Sequence, residues 1–239
     1  MGQKKLHRFA ELLTFPNVLQ NPEDMPGKWG AFFHNDHPIT LELACGKGEY
    51  ALGLGRLHAD RNFIGVDMKG NRIWVGAKKA LKENLTNVGF LRTQIDRIAM
   101  HFQPGEVSEI WITFPDPQLR TSKAKKRLTH PKFLRLYQQL LKPGGIIHLK
   151  TDSPALYRFS KWVTDLYELE ILEDRDDVYS VGDDAISDEL KIKTHYESLD
   201  IAGSNRIHYL SFRLPGTPLP DKDAALKDML REEELDRRR

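Results

Sequence analysis

Two glycines bracketed by two carboxylates give this chain its first chemical signal. Ile39-Thr40-Leu41-Glu42-Leu43-Ala44-Cys45-Gly46-Lys47-Gly48-Glu49-Tyr50 reads as a β-rich run, a Gly-x-Gly turn and the start of a helix, and Asp67 follows 21 residues after Gly46. Glycines at such a turn let a ligand approach the backbone, and the helix start offers unpaired N–H groups. An acid about 20 positions later can take both hydroxyls of a ribose. With 17 glycines in the chain about one Gly-x-Gly arises by chance, so the weight rests on this context.

Two ligands compete for the turn. Gly46, Gly48 and Ala51 also satisfy a relaxed dinucleotide fingerprint, whose turn cradles a pyrophosphate. Glu42 argues the other way. A carboxylate just before the turn adds negative potential where a pyrophosphate needs positive, whereas S-adenosylmethionine carries an ammonium and a sulfonium. The methionine-derived cofactor is therefore favoured over NAD. A surface-facing role for Glu42 and a helix-capping role for Asp67 are the plain alternatives.

A second constellation is Pro115-Asp116-Pro117, directly after the β-rich run Glu109–Phe114. Prolines on both sides remove backbone freedom and hold the Asp116 carboxylate in one place. An ordinary chain-reversing turn uses the same residue types. What raises the chemical reading is the segment that follows. Leu119 to Arg135 holds seven basic residues and no acidic one, whereas Asp165 to Leu190 holds eleven acidic residues against Arg175 alone. A local basic cluster suits a polyanion, since each Lys or Arg on a phosphate releases a counterion. Nucleic acid is the expected partner, with a solvated loop as the bland alternative.

The elements that must position these groups alternate regularly. Ile39–Ala44, Asn62–Asp67, Val88–Thr93, Glu109–Phe114 and Ile146–Thr151 read as strands, and Glu49–His58, Asn71–Glu83, Pro131–Leu141 and Pro154–Tyr167 as helices. Further strands are expected at Glu168–Glu173 and Arg206–Leu214, with a short helical piece near Thr194–Ala202. This is an α/β pattern: a mostly parallel sheet with helices on both faces, binding ligands at the carboxyl ends of its strands. Residues 1–38, broken by Pro16, Pro22, Pro26 and Pro38, read as an extended N-terminal arm; 39–214 as the main domain; 215–239 as a charged, mobile C-terminal tail ending in Arg237-Arg238-Arg239.

Composition bounds the rest. At 239 residues with 36 Lys and Arg against 34 Asp and Glu, the chain has the size and balance of one globular domain with appendages. Cys45 stands alone, which excludes an internal disulfide and a cysteine-based zinc cluster. His195 has no second His or Cys at metal-ligand spacing beside it, His101, His130 and His148 are equally unsupported as ligands, and no metal is expected. No apolar stretch approaches the ~18 residues of a membrane span, and Met1 to His7 is no secretory leader, so the cytoplasm is the expected location.

Taken in order, Leu41-Glu42-Leu43-Ala44-Cys45-Gly46-Lys47-Gly48-Glu49, Ile64-Gly65-Val66-Asp67, Phe114-Pro115-Asp116-Pro117, Arg127-Leu128-Thr129, Lys150-Thr151-Asp152 and Thr194-His195-Tyr196-Glu197 resemble the bacterial tRNA (guanine-N7-)-methyltransferases. The resemblance spans Ile39 to Leu214. It implies a Rossmann-like class I methyltransferase fold with a seven-stranded sheet, S-adenosylmethionine as cofactor, and methylation of N7 of a guanosine at position 46 in the variable loop of tRNA.

By motif position, Glu42, Gly46, Gly48, Asp67, Gln94 and Asp116 would hold the cofactor, with Asp116 at the reaction centre. Arg120, Asp152, Thr194, His195, Tyr196 and Glu197 would bind the guanosine. Ser122, Lys123, Ala124, Lys125, Lys126 and Arg127 would meet RNA. The chain departs from the family in three places: Gln118 and Arg120 stand where Trp and Lys are usual, Ala44 replaces a Gly, and Gln94 occupies the position of the adenine-side Asp, with Asp96 nearby. A monomer or a homodimer fits equally. A methyltransferase for another RNA or a small molecule, and a non-catalytic RNA-binding protein, are the alternatives.

Overall fold

Residues 2–199 and 203–236 are described by the structure, a computed structural model. In chain order its elements are helix α1 (Gly2–Leu12), strand β1 (Val18–Gln20), helix α2 (Trp29–Phe33), β2 (Ile39–Leu43), α3 (Glu49–Leu57), β3 (Asn62–Asp67), α4 (Gly70–Lys82), β4 (Val88–Arg92), β5 (Val107–Thr113), α5 (Pro131–Tyr137), β6 (Leu141–Thr151), α6 (Pro154–Leu166), β7 (Glu170–Arg175), α7 (Asp188–Lys191), β8 (His208–Arg213) and α8 (Asp223–Asp236). Short 3-10 turns at Ile95–His101, Thr121–Lys126 and Glu197–Leu199 complete the loops near the strand ends.

The strands form one sheet in the order β1-β4-β3-β2-β5-β6-β8-β7. Pairings from β1 through β6 are parallel, and β8 runs antiparallel between β6 and β7. β2 and β3 are buried along their whole length, because helices cover both faces and leave no solvent side for polar alternation. The chain winds one way from β2 through β3 to β4 and the other way from β5 onward. The crevice at the carboxyl ends of β2 and β5 is thus the switch point where doubly wound sheets bind ligands. Leu41 pairs with Ile64 on one side and Ile110 on the other, which places the glycine turn and the Pro-Asp-Pro loop side by side.

Two expectations change. The sheet has eight strands, not seven, and the additional one, β1, comes from the segment expected to be an extended arm. The prolines there separate elements rather than prevent them. Trp29 is fully buried, donates from its indole to the His101 carbonyl (2.8 Å) and stacks on Phe102 (5.0 Å between ring centroids), while α1 packs along α4.

The C-terminal segment is also structured. Leu226 and Leu230, one helical turn apart, join Leu219 in the main core, and Arg135 pairs with Asp223 at 2.8 Å. A few well-spaced leucines were enough to bury one face of α8. Arg237-Arg238-Arg239 lie outside the described residues. The helical piece expected at Thr194–Ala202 is the 3-10 turn Glu197–Leu199, preceded by α7; residues 200–202 lie outside the described residues. No described helix is long and apolar enough to cross a membrane.

Candidate active site

The turn after β2 is built from three left-handed residues: Ala44 (φ 56°), Gly46 (φ 57°) and Gly48 (φ 67°). Gly48 caps α3, and a Cβ there would fall 2.3 Å from the Phe90 ring, so glycine is required on packing as well as on torsion. Asp67, at the end of β3, accepts hydrogen bonds from the Gly46 amide (3.0 Å) and the Lys69 amide (2.8 Å). Each oxygen retains acceptor capacity toward the space above the turn.

Glu42 lies beneath that turn rather than in it. Its carboxyl accepts from the Ala51 amide (2.8 Å) and the Thr113 hydroxyl (3.1 Å), tying the first turn of α3 to β5. Burial raises its pKa to about 8; those two hydrogen bonds work against the shift, and the charges of Glu49 and Asp67 add to it. Glu42 is thus a buried brace beneath the turn, and of the residues expected to hold the cofactor, Glu42, Gly46 and Gly48 do not line the cavity over the strand ends, whereas Asp67, Gln94 and Asp116 do.

A cavity of about 970 Å³ opens over the strand ends. Ala44, Asp67, Met68 and Gln94 line it together with Asp116, Lys125, Lys126, Asp152 and Tyr196. Gln94, expected on the adenine side of the cofactor, lines the cavity. Asp96, the alternative carboxylate, also lines the cavity and is paired with Lys132. Asp116 is exposed on the cavity wall, and its carboxylate accepts from the Gln118 amide at 3.0 Å. Phe114 and Gln118, on either side of the Pro-Asp-Pro segment, both hold φ 47°, a left-handed torsion that non-glycine residues seldom adopt.

The basic loop divides in two. Ser122, Lys123, Lys125 and Lys126 are exposed, whereas Ala124 and Arg127 are buried and do not present themselves to RNA. The Arg127 guanidinium donates to the carbonyls of Gln118 (3.1 Å) and Leu119 (3.4 Å) and lies 4.4 Å above the Phe159 ring. It fixes the far end of the Pro-Asp-Pro loop from inside. Arg120 is exposed but turned aside from the main cavity, lining a smaller depression with Ser122, Glu233 and Glu234.

Of the Thr194–Glu197 run, only Tyr196 lines the cavity. Thr194 is buried, its hydroxyl accepting from the Glu197 amide (3.2 Å), and the His195 amide donates to Glu49 (2.9 Å). Glu197 is turned inward onto buried Lys150. Sequence reasoning gave no role to Lys150 or Glu49, though both stand in the motifs that carry the resemblance, and missed Arg72, which lines the cavity 5.8 Å from the Tyr196 ring. Lys150 did leave a signal: a lysine near the end of an interior strand, after Ile146, Ile147 and Leu149, has to find a buried partner.

The arrangement brings Asp67, beside the glycine turn, and the clamped Asp116 carboxylate into one cavity, with the exposed Lys125 and Lys126 also lining it. Among the described residues, no group of three or more His, Cys, Asp or Glu is placed to hold a metal ion.

The chain is similar in sequence and in fold to known methyltransferases. A family model described as "Putative methyltransferase" matches residues 36–208. A tRNA (guanine-N(7)-)-methyltransferase from Bacteroides thetaiotaomicron is 47% identical, covering 90% of this chain and 87% of that protein. One from Christiangramia forsetii is 46% identical, covering 90% of this chain and all of the other. A solved 16S rRNA methyltransferase, KamB, superposes with a TM-score of 0.60 at 14% identity, over 83% of this chain and 99% of that one, a likeness of fold alone.

Proposed function

Because the chain belongs to the tRNA (guanine-N7-)-methyltransferase family, we propose that it methylates N7 of the guanosine at position 46, in the variable loop of tRNA, with S-adenosylmethionine as methyl donor. The observation that carries this reading is the cavity joining Ala44, before the glycine turn, and Asp67 to Asp116 and Asp152. Its volume, about 970 Å³, lies at the upper end of ligand pockets and leaves room for a base beside a nucleoside.

The chain's residues fit the cofactor. Asp67 keeps acceptor capacity for ribose hydroxyls, the positive-φ turn bares its backbone, and Gln94 offers an amide in the cavity wall. When bound, S-adenosylmethionine supplies an electrophilic methyl on a sulfonium.

Guanine N7 has a lone pair and no proton, so Asp116 need not act as a base. We assign it two tasks: accepting a hydrogen bond from the guanine edge, and offsetting the positive charge that grows on the purine as N7 forms its bond. Orientation is the larger contribution, up to ~7–11 kcal/mol for well-aligned groups. The torsions at Phe114 and Gln118 and the lock at Arg127 fix the Asp116 loop for it. Lys125 and Lys126, which line the cavity, meet phosphates there, and the exposed Lys123 extends the same basic surface. One chain holds the whole cavity, so a monomer or a homodimer would serve, and the cytoplasm is the proposed place of action.

The test is transfer of a labelled methyl group from S-adenosylmethionine into unmodified tRNA, mapped by cleavage at N7-methylguanosine. Label at position 46, lost when that guanosine is replaced, is the expected result. Asp116→Asn should retain cofactor affinity within a few-fold and lose about 100-fold or more in kcat. No label in tRNA would overturn the reading.

A further inference from the structure

Lys150, the penultimate residue of β6, has its side chain fully buried, where an ammonium is costly unless it is paired. Four oxygens meet it: the carbonyls of Leu190 (2.8 Å) and Ile192 (3.0 Å), a carboxylate oxygen of Glu197 (3.0 Å) and the Tyr179 hydroxyl (3.4 Å). Tyr179 also donates to the other oxygen of Glu197. Burial draws the Lys150 pKa down, and Glu197 draws it back up.

This cluster lies behind the cavity, not in it. What it holds faces the cavity. Glu197 is fastened by Lys150, the His195 amide by Glu49 on α3, and the Glu197 amide by Thr194. Tyr196 stands between these fastenings. Its ring bounds the space above Gly46, where an added Cβ would lie 3.8 Å from it, and it shares the cavity wall with Asp116 and Asp152.

We propose that Lys150 is a positioning residue that latches the Thr194–Glu197 loop through its bond to Glu197, so that Tyr196 forms the common wall of the cofactor and guanine spaces. In this arrangement the Glu197 carboxylate works inside the latch and does not read the edge of the base. The inference rests on the methyltransferase reading above, but cofactor affinity tests it apart from methyl transfer.

The experiment compares Lys150→Met, Glu197→Gln and the double variant in the full chain. It measures S-adenosylmethionine Kd by calorimetry, tRNA Kd without cofactor, and kcat/KM. A latch predicts that Lys150→Met raises the cofactor Kd and lowers kcat/KM by about 100-fold, as a displaced wall would, with tRNA Kd within about threefold. Glu197→Gln should weaken both cofactor binding and turnover in the same proportion, to a smaller extent. The double variant should be no worse than Lys150→Met, because both changes open one latch.

Glu197→Gln with unchanged cofactor Kd and a 100-fold loss of kcat/KM would overturn the proposal, placing the carboxylate on the base. So would effects that multiply in the double variant. If Lys150→Met fails to fold, Glu197→Gln and Tyr179→Phe decide by the same split. A wild-type chain that binds the cofactor but leaves tRNA unlabelled would defeat the functional reading and leave the cofactor arm of this test standing.

Discussion

Ala44 holds a left-handed backbone, φ 56°, immediately before the glycine turn. That torsion costs an L-residue about 1–2 kcal/mol, partly offset by the greater unfolded-state entropy of glycine. Ala44→Gly is therefore expected to stabilise the chain by about 0.5–1 kcal/mol, read as a rise of about 1–3 °C in Tm. Glu42 makes a second case at this scale. The folded protein holds its proton to about pH 8, well above the ordinary 4.5 of the unfolded chain. Between those values the folded state binds more proton, so stability falls as pH rises through the window. Glu42→Gln keeps an acceptor for Ala51 and should flatten that slope in urea titrations from pH 5 to about pH 8.5; an unchanged slope would assign it to another group. Asp116 was legible because its two prolines are a local constraint. Glu42 was not: in a strand buried on both faces, the sequence carries no mark of which side a carboxylate takes or what lies under it.

The basic loop shows the same limit in an element. Composition marks Ser122 to Arg127 as one polar run, but a 3-10 turn between a fixed Pro-Asp-Pro segment and α5 has an inside, and Ala124 and Arg127 occupy it. The two classes separate by salt. Lys125→Ala with Lys126→Ala should weaken tRNA binding and reduce the slope of log K against log salt by about 1 for each phosphate that is no longer neutralised. Arg127→Met should leave that slope unchanged, release the Gln118 and Leu119 carbonyls and lower kcat by about 10–100-fold as Asp116 loses its fixed position. A reduced slope for Arg127→Met would return it to the RNA surface. The strand and helix pattern was legible from Ile39 to Leu214 because its apolar runs are long and regularly punctuated. β1, at three residues, is too short for periodicity to reveal, and only its pairing with β4 defines it.

At the scale of the molecule, both ends of the chain close the sheet that carries the site. α1, β1 and α2 cover the β4 side, and α8 packs against α6 and the basic 3-10 turn on the other. Neither end could be read from local pattern: the apolar residues of the first are divided by prolines into pieces too short for periodicity, those of the second are few, and each completes a core whose other half lies far away in sequence. Asp223 ties the start of α8 to Arg135 and Tyr167, and Arg158 pairs with Glu233 near its end. Leu226, 1% exposed, is the clean probe of this packing. If α8 is part of the fold, Leu226→Ala leaves a cavity and costs about 2–4 kcal/mol in urea unfolding. If the segment were a solvated tail, the same change would move the midpoint by no more than a typical surface substitution, within about 0.5 kcal/mol. Because α8 also borders Arg120 and Ser122 through Glu233 and Glu234, the variant should further loosen the edge of the basic loop. Faster amide exchange in residues 120–127, without a change at the glycine turn, is the measurement that would show that coupling.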